Sequence, residues 1–557
     1  MIKADSLLAD TKYVCNFPDR QLRQVVVQFM CFCQENLSPE NFFVKNEKTL
    51  DLIVSISCKI GLVKIPVSKK KKQEVPRMAL YLILMVAIFV VAGVLFVYFS
   101  SKKQAITTDQ ILTARGSSPW WQVTLSSIAV LMGAWALFSP QETAMIAGVP
   151  GCFAFALGSV LGIFVFGFVG RRIRKYLPNG SSGTEFMRLR YGKLSYYLMT
   201  IISLIGMGIM LTSELTGISS AFNALWGIPR WIVIVVVLIG VLIYTTCGGI
   251  KASLFVDSIQ TAVIIPTFIV LFFYMISHVG GVSAVVSGVQ ERAPQLLDWG
   301  YGYGWQHGGG FALGLFTAIF VDQSYWQRAY AVKDEKNMIK TFTCVGIILL
   351  PMLLLAASFG LIAAGTIDVQ NQSIVMFELL NAMAPKWLQV IVLFMALALI
   401  MSTASGSING ITSILAVETK NLMAAKSHNG TVNGKKVLWI ARGIAMCIVL
   451  VTCIVALKGI SVLYLFTISN MLVTACVFPL FYGMKNRRLK DWGVIAAFIC
   501  GVIAASFWLP DPTWSKGSTL YCMLAALLVP AVVSVILGAF GKPVEFDHLQ
   551  DQIIEVD

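Results

Sequence analysis

Ser402, Thr403, Ser405, Ser407 and Asn409 crowd together in the stretch 393–418, with Gly406 and Gly410 among them, after a first half apolar enough for lipid. A helix at membrane depth satisfies its own backbone, so a dense run of hydroxyls there must face protein, water or an ion. Ser402 and Thr403 are adjacent, about 100° apart on a helix, so both can point into one wedge of a bundle interior. Neutral hydroxyls beside a backbone carbonyl suit a small hard cation such as sodium, which prefers oxygen ligands. The same small and hydroxylated residues also suit close helix packing.

Four carboxylates, Glu142, Glu214, Asp257 and Asp322, fall inside or at the ends of apolar segments, with no Lys or Arg expected at comparable depth. Each costs roughly 2.5–3.5 kcal/mol at a helix centre, so each should face a hydrated interior or bind something cationic. Glu142 and Asp322 are expected to help define a substrate or coupling site; the alternative is a wet carboxylate at the interface. Glu214, in Leu211-Thr212-Ser213-Glu214-Leu215-Thr216, has polar neighbours able to hold it as a protonated, structural hydrogen bonder. Gln323, Tyr325 and Trp326 supply amide and aromatic faces suited to a small polar or cationic solute. Tyr and Trp near a span end also suit an interfacial belt.

The elements that must position these residues are membrane helices. The chain has 557 residues, 57% hydrophobic and 13% charged, far below the charge of soluble domains. About thirteen spans are expected, at 79–99, 120–147, 151–169, 195–220, 231–247, 253–277, 306–327, 341–365, 387–417, 437–457, 459–484, 491–508 and 519–540. The loops after even-numbered spans hold only Arg230, Arg292, Lys386, Lys458 and Lys516. The loops after odd-numbered spans hold most of the rest, which places those loops and the C-terminus in the cytoplasm. The net charge of +15 therefore reflects loop asymmetry and implies the bilayer, not nucleic acid, as partner. An odd count puts 1–78, an extension of unknown role, outside, against the preference of its basic run Lys69–Lys72. Glycosylation at Asn36 would test that side; Asn371 is expected outside and Asn429 inside.

Two spans read as broken. Ser139-Pro140 lies in the second, and Pro removes a backbone donor. In the seventh, Gly308-Gly309-Gly310 and Gly314 precede Asp322-Gln323-Ser324. Five helices apart, these spans run in opposite directions, the pattern of inverted halves with a site at the midplane. Catalysis finds little material. Four histidines and scattered cysteines form no metal set, and no Walker lysine motif appears. His307-Gly308-Gly309-Gly310 lacks a partner nucleophile elbow, and Gly300, Gly302 and Gly304 follow no strand. No enzyme is expected.

Gly248-Gly249-Ile250-Lys251-Ala252 with Asp257-Ser258-Ile259-Gln260 resembles the glycine pair and Asp-x-x-Gln signature of the solute:sodium symporters. Ser402-Thr403 is similar to that family's hydroxyl pair on its sodium-holding helix. Asp322-Gln323-Ser324-Tyr325-Trp326-Gln327-Arg328-Ala329 with Lys333-Asp334 resembles its segment at the inner end of the seventh span, most closely in the urea and polyamine branch. The resemblance runs from about residue 79 to 540 and implies an all-α, leucine-transporter-type fold of inverted five-helix repeats. It implies 79–119 as a first helix and loop, 120–280 and 281–484 as the repeats, and 485–557 as two further helices and a tail. It further implies sodium held by Ser402, Thr403 and the carbonyls of Leu399 and, near the break, Trp135 and Phe138. Asp257 would lie on the ion's inward exit route, and Gln141 resembles a substrate-contacting position of sugar-transporting relatives.

The expectation is thus a multi-pass protein of the plasma membrane: a sodium-coupled or proton-coupled symporter of a small polar solute such as urea or a polyamine, with no cofactor beyond the coupling ion. A non-coupled channel or a solute sensor on the same scaffold is the alternative.

Overall fold

Apolar segments in a solvent that offers no hydrogen bonds must close their backbone groups internally, and this chain does so with helices. The computed structural model describes residues 69–101, 114–178, 183–426, 434–484, 486–540 and 543. The expectations for 1–68, including Asn36, and for Asn429 lie outside them. The sole extended pairing among the described residues is one isolated bridge, Ser118 to Val332.

Helix α1 (Lys69–Ser101) precedes the first discontinuous crossing, made of α2 (Trp120–Leu131) and the start of α3 (Ala134–Tyr176). Gly148, at φ 62°, divides α3 into two segments; only glycine adopts this backbone without strain. Short α4 (Gly183–Arg190) leads to α5 (Lys193–Trp226) and then α6 (Arg230–Val279), which Gly249 at φ 56° splits in the same way. After α7 (Val282–Arg292), α8 (Gly302–Ala318) and α9 (Gln323–Ala331) form the second discontinuous crossing. Then follow α10 (Met338–Thr366), α11 (Val375–Met383), α12 (Lys386–Lys426), α13 (Gly434–Ala456), α14 (Val462–Tyr482), α15 (Asp491–Ser506) and α16 (Thr519–Ala539).

Among the described residues, nine helical segments are long and apolar enough to cross a membrane, and Trp120–Leu131, Arg230–Thr246 and Asp491–Ser506 are shorter apolar helices. This is a multi-pass membrane protein. The apolar window of Lys386–Met423 is 83% buried against 28% for Arg77–Phe96, so α12 is interior and α1 turns its surface to lipid.

Both breaks lie where the sequence pattern did not put them. Pro140 sits inside α3, and the first interruption is Met132-Gly133. Gly308, Gly309, Gly310 and Gly314 lie within continuous α8, and the second interruption spans 319–322. The glycines pack instead. A Cβ at Gly308 would collide with the backbone of Gly151, and one at Gly158 with that of Ala312. Small residues thus let α3 and α8 touch backbone to backbone, a packing that substitutes for a hydrophobic driving force between helices in lipid.

Gly158→Val should therefore lower stability by about 1–3 kcal/mol through overpacking. Gly443→Ala, at a helical position with nothing within 4 Å, should be neutral or stabilise by up to about 1 kcal/mol. Thermal unfolding of the detergent-solubilised protein measures both. Equal behaviour of the two variants would rule out close α3–α8 contact.

Candidate functional site

Interrupting a helix orphans backbone groups on both sides of the gap. In an unbroken helix the Ala134 N–H would donate to the Val130 carbonyl four residues back. Here the Ala134 N–H donates to Glu214 Oε2 at 2.7 Å, from α5. The Val130 carbonyl instead accepts from Thr403 Oγ1 at 3.0 Å, from α12, and the same hydroxyl lies 3.3 Å from the Leu399 carbonyl. A Cβ at Gly133 would collide with both Glu214 Oε1 and Thr403 Oγ1, so these two oxygens face one small space.

The second break is braced in parallel. Ser203 Oγ, also on α5, donates to the Val321 carbonyl at 2.9 Å, and Trp326 Nε1 donates to that of Phe320 at 2.9 Å. Asp322 caps α9, accepting from the Ser324 N–H at 2.8 Å and its hydroxyl at 2.6 Å.

Below the first break a buried polar knot joins four helices. Ser402 Oγ donates to Asp257 Oδ1 at 2.7 Å, and Ser126 Oγ to Asp257 Oδ2 at 2.6 Å. Arg328 Nη2 reaches Asp257 Oδ2 at 2.8 Å with both side chains fully buried. Its Nε contacts Ser126 Oγ at 3.1 Å, and its Nη1 donates to the Ser324 carbonyl at 3.0 Å. The expectation of no base at this depth is corrected: Arg328, read from sequence as an inner-loop residue, lies inside the bundle because α9 carries it there. Nearby, Arg174 Nη1 donates to the Ala329 and Val332 carbonyls at 3.0 and 2.7 Å. The Ser118 amide donates to Ala331 and its carbonyl accepts from Lys333. The Ser118 contacts tie the N-terminal end of the first broken crossing to the C-terminal end of the second.

At the other end, Glu142 Oε1 and Oε2 each accept from Ser461 Oγ at 3.0 Å, and Oε1 also from Ser373 Oγ at 3.3 Å. Glu142 thus closes α3 against α14 and the segment before α11, roughly two and a half helical turns beyond the break. The structure does not bring it to Asp322, nor to Ser402 and Thr403. Phe138, stacked on Phe377 at 5.2 Å between centroids, belongs to the same closure.

The remaining expected residues divide similarly. Trp135 and Phe138 lie inside α3, where their carbonyls are in helical register; the break carbonyl at Thr403 is that of Val130, which the sequence reading missed. Trp135 packs on Phe155 and Phe466. Trp326 is neither belt nor cavity wall: it is 1% exposed, against Phe166, with its N–H occupied. Tyr325 is buried beside Phe166, and Gln323 lies near Gly410 of α12. Gln141 donates to Met376 Sδ at 3.8 Å while its Oε1, like Ser139 Oγ and Thr143 Oγ1, is buried without a protein partner. A cavity of about 310 Å³ opens elsewhere, lined by Thr245, Asn409, Thr412, Trp439 and Arg442 among others.

Glu214 was assigned a structural part, yet it is the carboxylate at the break. The legible signal was its position: an acid in the middle of a long span, flanked by Ser213 and Thr216 and with no base on its helix face.

Comparison with known proteins agrees with this architecture. A sodium-coupled sialic acid symporter, solved in a substrate-bound outward-open state, superposes with a TM-score of 0.66 at 16% identity, covering 84% of this chain and 99% of that one. This likeness establishes a leucine-transporter-type fold. The urea-proton symporter DUR3 of Oryza sativa subsp. japonica is 22% identical over 69% of this chain, which spans 58% of that protein's length. The spermidine transporter DUR31 of Candida albicans is 23% identical over 72% of this chain and 73% of its own. A family model for the Sodium:solute symporter family matches residues 111–501. With well over half its length matched, this chain belongs to the sodium:solute symporter family, whose members are transporters and not enzymes.

Proposed function

We propose that the protein is a cation-coupled secondary transporter of the plasma membrane that moves a small polar nitrogenous solute, such as urea or a polyamine, by alternating access. Its thirteen crossings would comprise a first helix, two inverted repeats at 120–280 and 281–484, and two C-terminal helices. The observation that carries the reading is the Thr403 hydroxyl resting on the Val130 carbonyl. An interrupted helix presents a freed main-chain oxygen to the Thr403 hydroxyl, with Ser402 next to it in sequence, on the helix whose apolar window is the most buried among the described residues. Oxygen ligands converging at a helix break suit sodium. The ligands would be Ser402, Thr403 and the carbonyls of Leu399 and Val130, with Val130 replacing Trp135 and Phe138.

The solute would lie between the two breaks. Gln323 and Tyr325 offer an amide and a phenol there, Asp322 a partly exposed carboxylate, and Gln141 an unpartnered amide oxygen. Glu142 would hold the outer closure. Asp257 and Arg328 would hold the inner one, and their separation would open the route by which the ion leaves. Names of the relatives support urea or a polyamine as solute class, and one of them names a proton as coupling ion.

Two measurements follow. A Ser402→Ala/Thr403→Ala double variant should reach the membrane normally and lose sodium-dependent uptake of labelled urea and spermidine. Uptake with the parent's sodium dependence would remove the pair from the ion site. Asp257→Asn alone strands a buried guanidinium and should cost about 3–5 kcal/mol, whereas Asp257→Asn/Arg328→Met should recover most of that stability. Thermal unfolding decides, and equal instability of single and double variants would dissolve the pair.

A further inference from the structure

Glu214 carries more chemistry than a helix cap requires. One carboxylate oxygen, Oε2, satisfies the Ala134 N–H; the other, Oε1, is fully buried and has no hydrogen-bond partner. Oε1 and the Thr403 hydroxyl both border the space a Gly133 side chain would take. The neutral ligands of the proposed ion site therefore have an ionisable neighbour aimed into the same space. A carboxylate buried without a cationic partner requires either a cation or a proton to neutralise it.

Several other charged groups on the helices packed against α5 are engaged elsewhere. Asp257 is held by Arg328 and Ser402, Glu418 accepts from Tyr196, and Asp491 caps Leu194 and Ser195. Glu378 accepts from the amides of Gln370 and Asn371, Glu142 from Ser461 and Ser373, Arg190 donates to Gly483 and Arg442 to Thr246. Within electrostatic reach of Glu214 is the Tyr325 phenol, itself beside Asp322 and Arg328.

We propose that Glu214 Oε1 is a further ligand of the coupling-ion site, the one anionic oxygen among its neutral hydroxyls and carbonyls. This rests on the sodium site at Ser402 and Thr403.

The test is equilibrium binding of radioactive sodium to the purified full-length protein at one fixed neutral pH. Glu214→Gln retains an oxygen to accept from Ala134, so the break stays capped, but removes the charge; it should bind sodium about tenfold more weakly than the wild type, or worse. Gly133→Ala places a methyl in the shared space while keeping both side chains, and should weaken sodium binding too. A Glu214→Gln protein that binds sodium with wild-type affinity overturns the proposal. A Ser402→Ala/Thr403→Ala protein that binds sodium normally overturns the site itself, so the two failures are distinct. Should Glu214→Gln not fold, wild-type sodium affinity in Gly133→Ala overturns the proposal by itself.

Discussion

The structure depends on two backbone groups that a helix break leaves without each other. Val130 offers a carbonyl and Ala134 an N–H, and between them Met132 and Gly133 take non-helical backbone at membrane depth. Each orphan would cost several kcal/mol in hydrocarbon. Thr403 and Glu214 meet those demands from two different helices, and so fix where α5 and α12 must stand relative to the gap. The break is thereby kept open by its partners, and the oxygens that keep it open are the ones proposed to hold the ion.

Helix α5 does this twice. Glu214 braces the first break and Ser203, about three helical turns away, braces the second. One rigid element thus sets the spacing of both interruptions. Close backbone contact between α3 and α8, possible only because glycines line it, sets their distance from the other side. A site assembled between two gaps needs such external references, since the gaps supply no rigidity of their own.

Much of this was legible in the sequence, and the misses share one cause. Apolar length located the crossings, and the polar run at 402–409 singled out the helix that proves most buried. Resemblance at Asp257, Asp322–Ala329 and Ser402-Thr403 gave the family. The breaks were misplaced because proline and glycine were taken as breakers. Pro140 is accommodated inside α3, and the glycines of α8 serve close packing, Gly308 on α3, Gly310 on α16 and Gly314 on α14, which one-dimensional pattern cannot separate from interruption. Arg328 was read as a loop base because charge counting assumes that bases at a span end are wet, whereas a short helix beginning at Gln323 carries it inward. Which of Glu142 and Glu214 stands at the break was missed for the same reason. Both are acids in apolar surroundings, and only the fold decides which one meets the end of a half-helix.

Under the proposed function, the Asp257–Arg328 pair is suited to a closure that opens and re-forms. Taking both charges out of water costs several kcal/mol per ion, offset by their attraction, by hydrogen bonds that Asp257 accepts from Ser126 and Ser402, and by the one Arg328 donates to the Ser324 carbonyl. Water admitted from the inside would return hydration to both charges as it removed those contacts, so opening exchanges one set of favourable interactions for another. A purely apolar plug would have no such compensation: every square ångström exposed would count against opening. Because Ser402 donates to Asp257 while its neighbour Thr403 holds the break, an ion drawing on the Ser402 oxygen competes with the inner closure for that hydroxyl's orientation. Under the proposed function, ion occupancy and the inner gate are therefore coupled through a single side chain, with no longer path required.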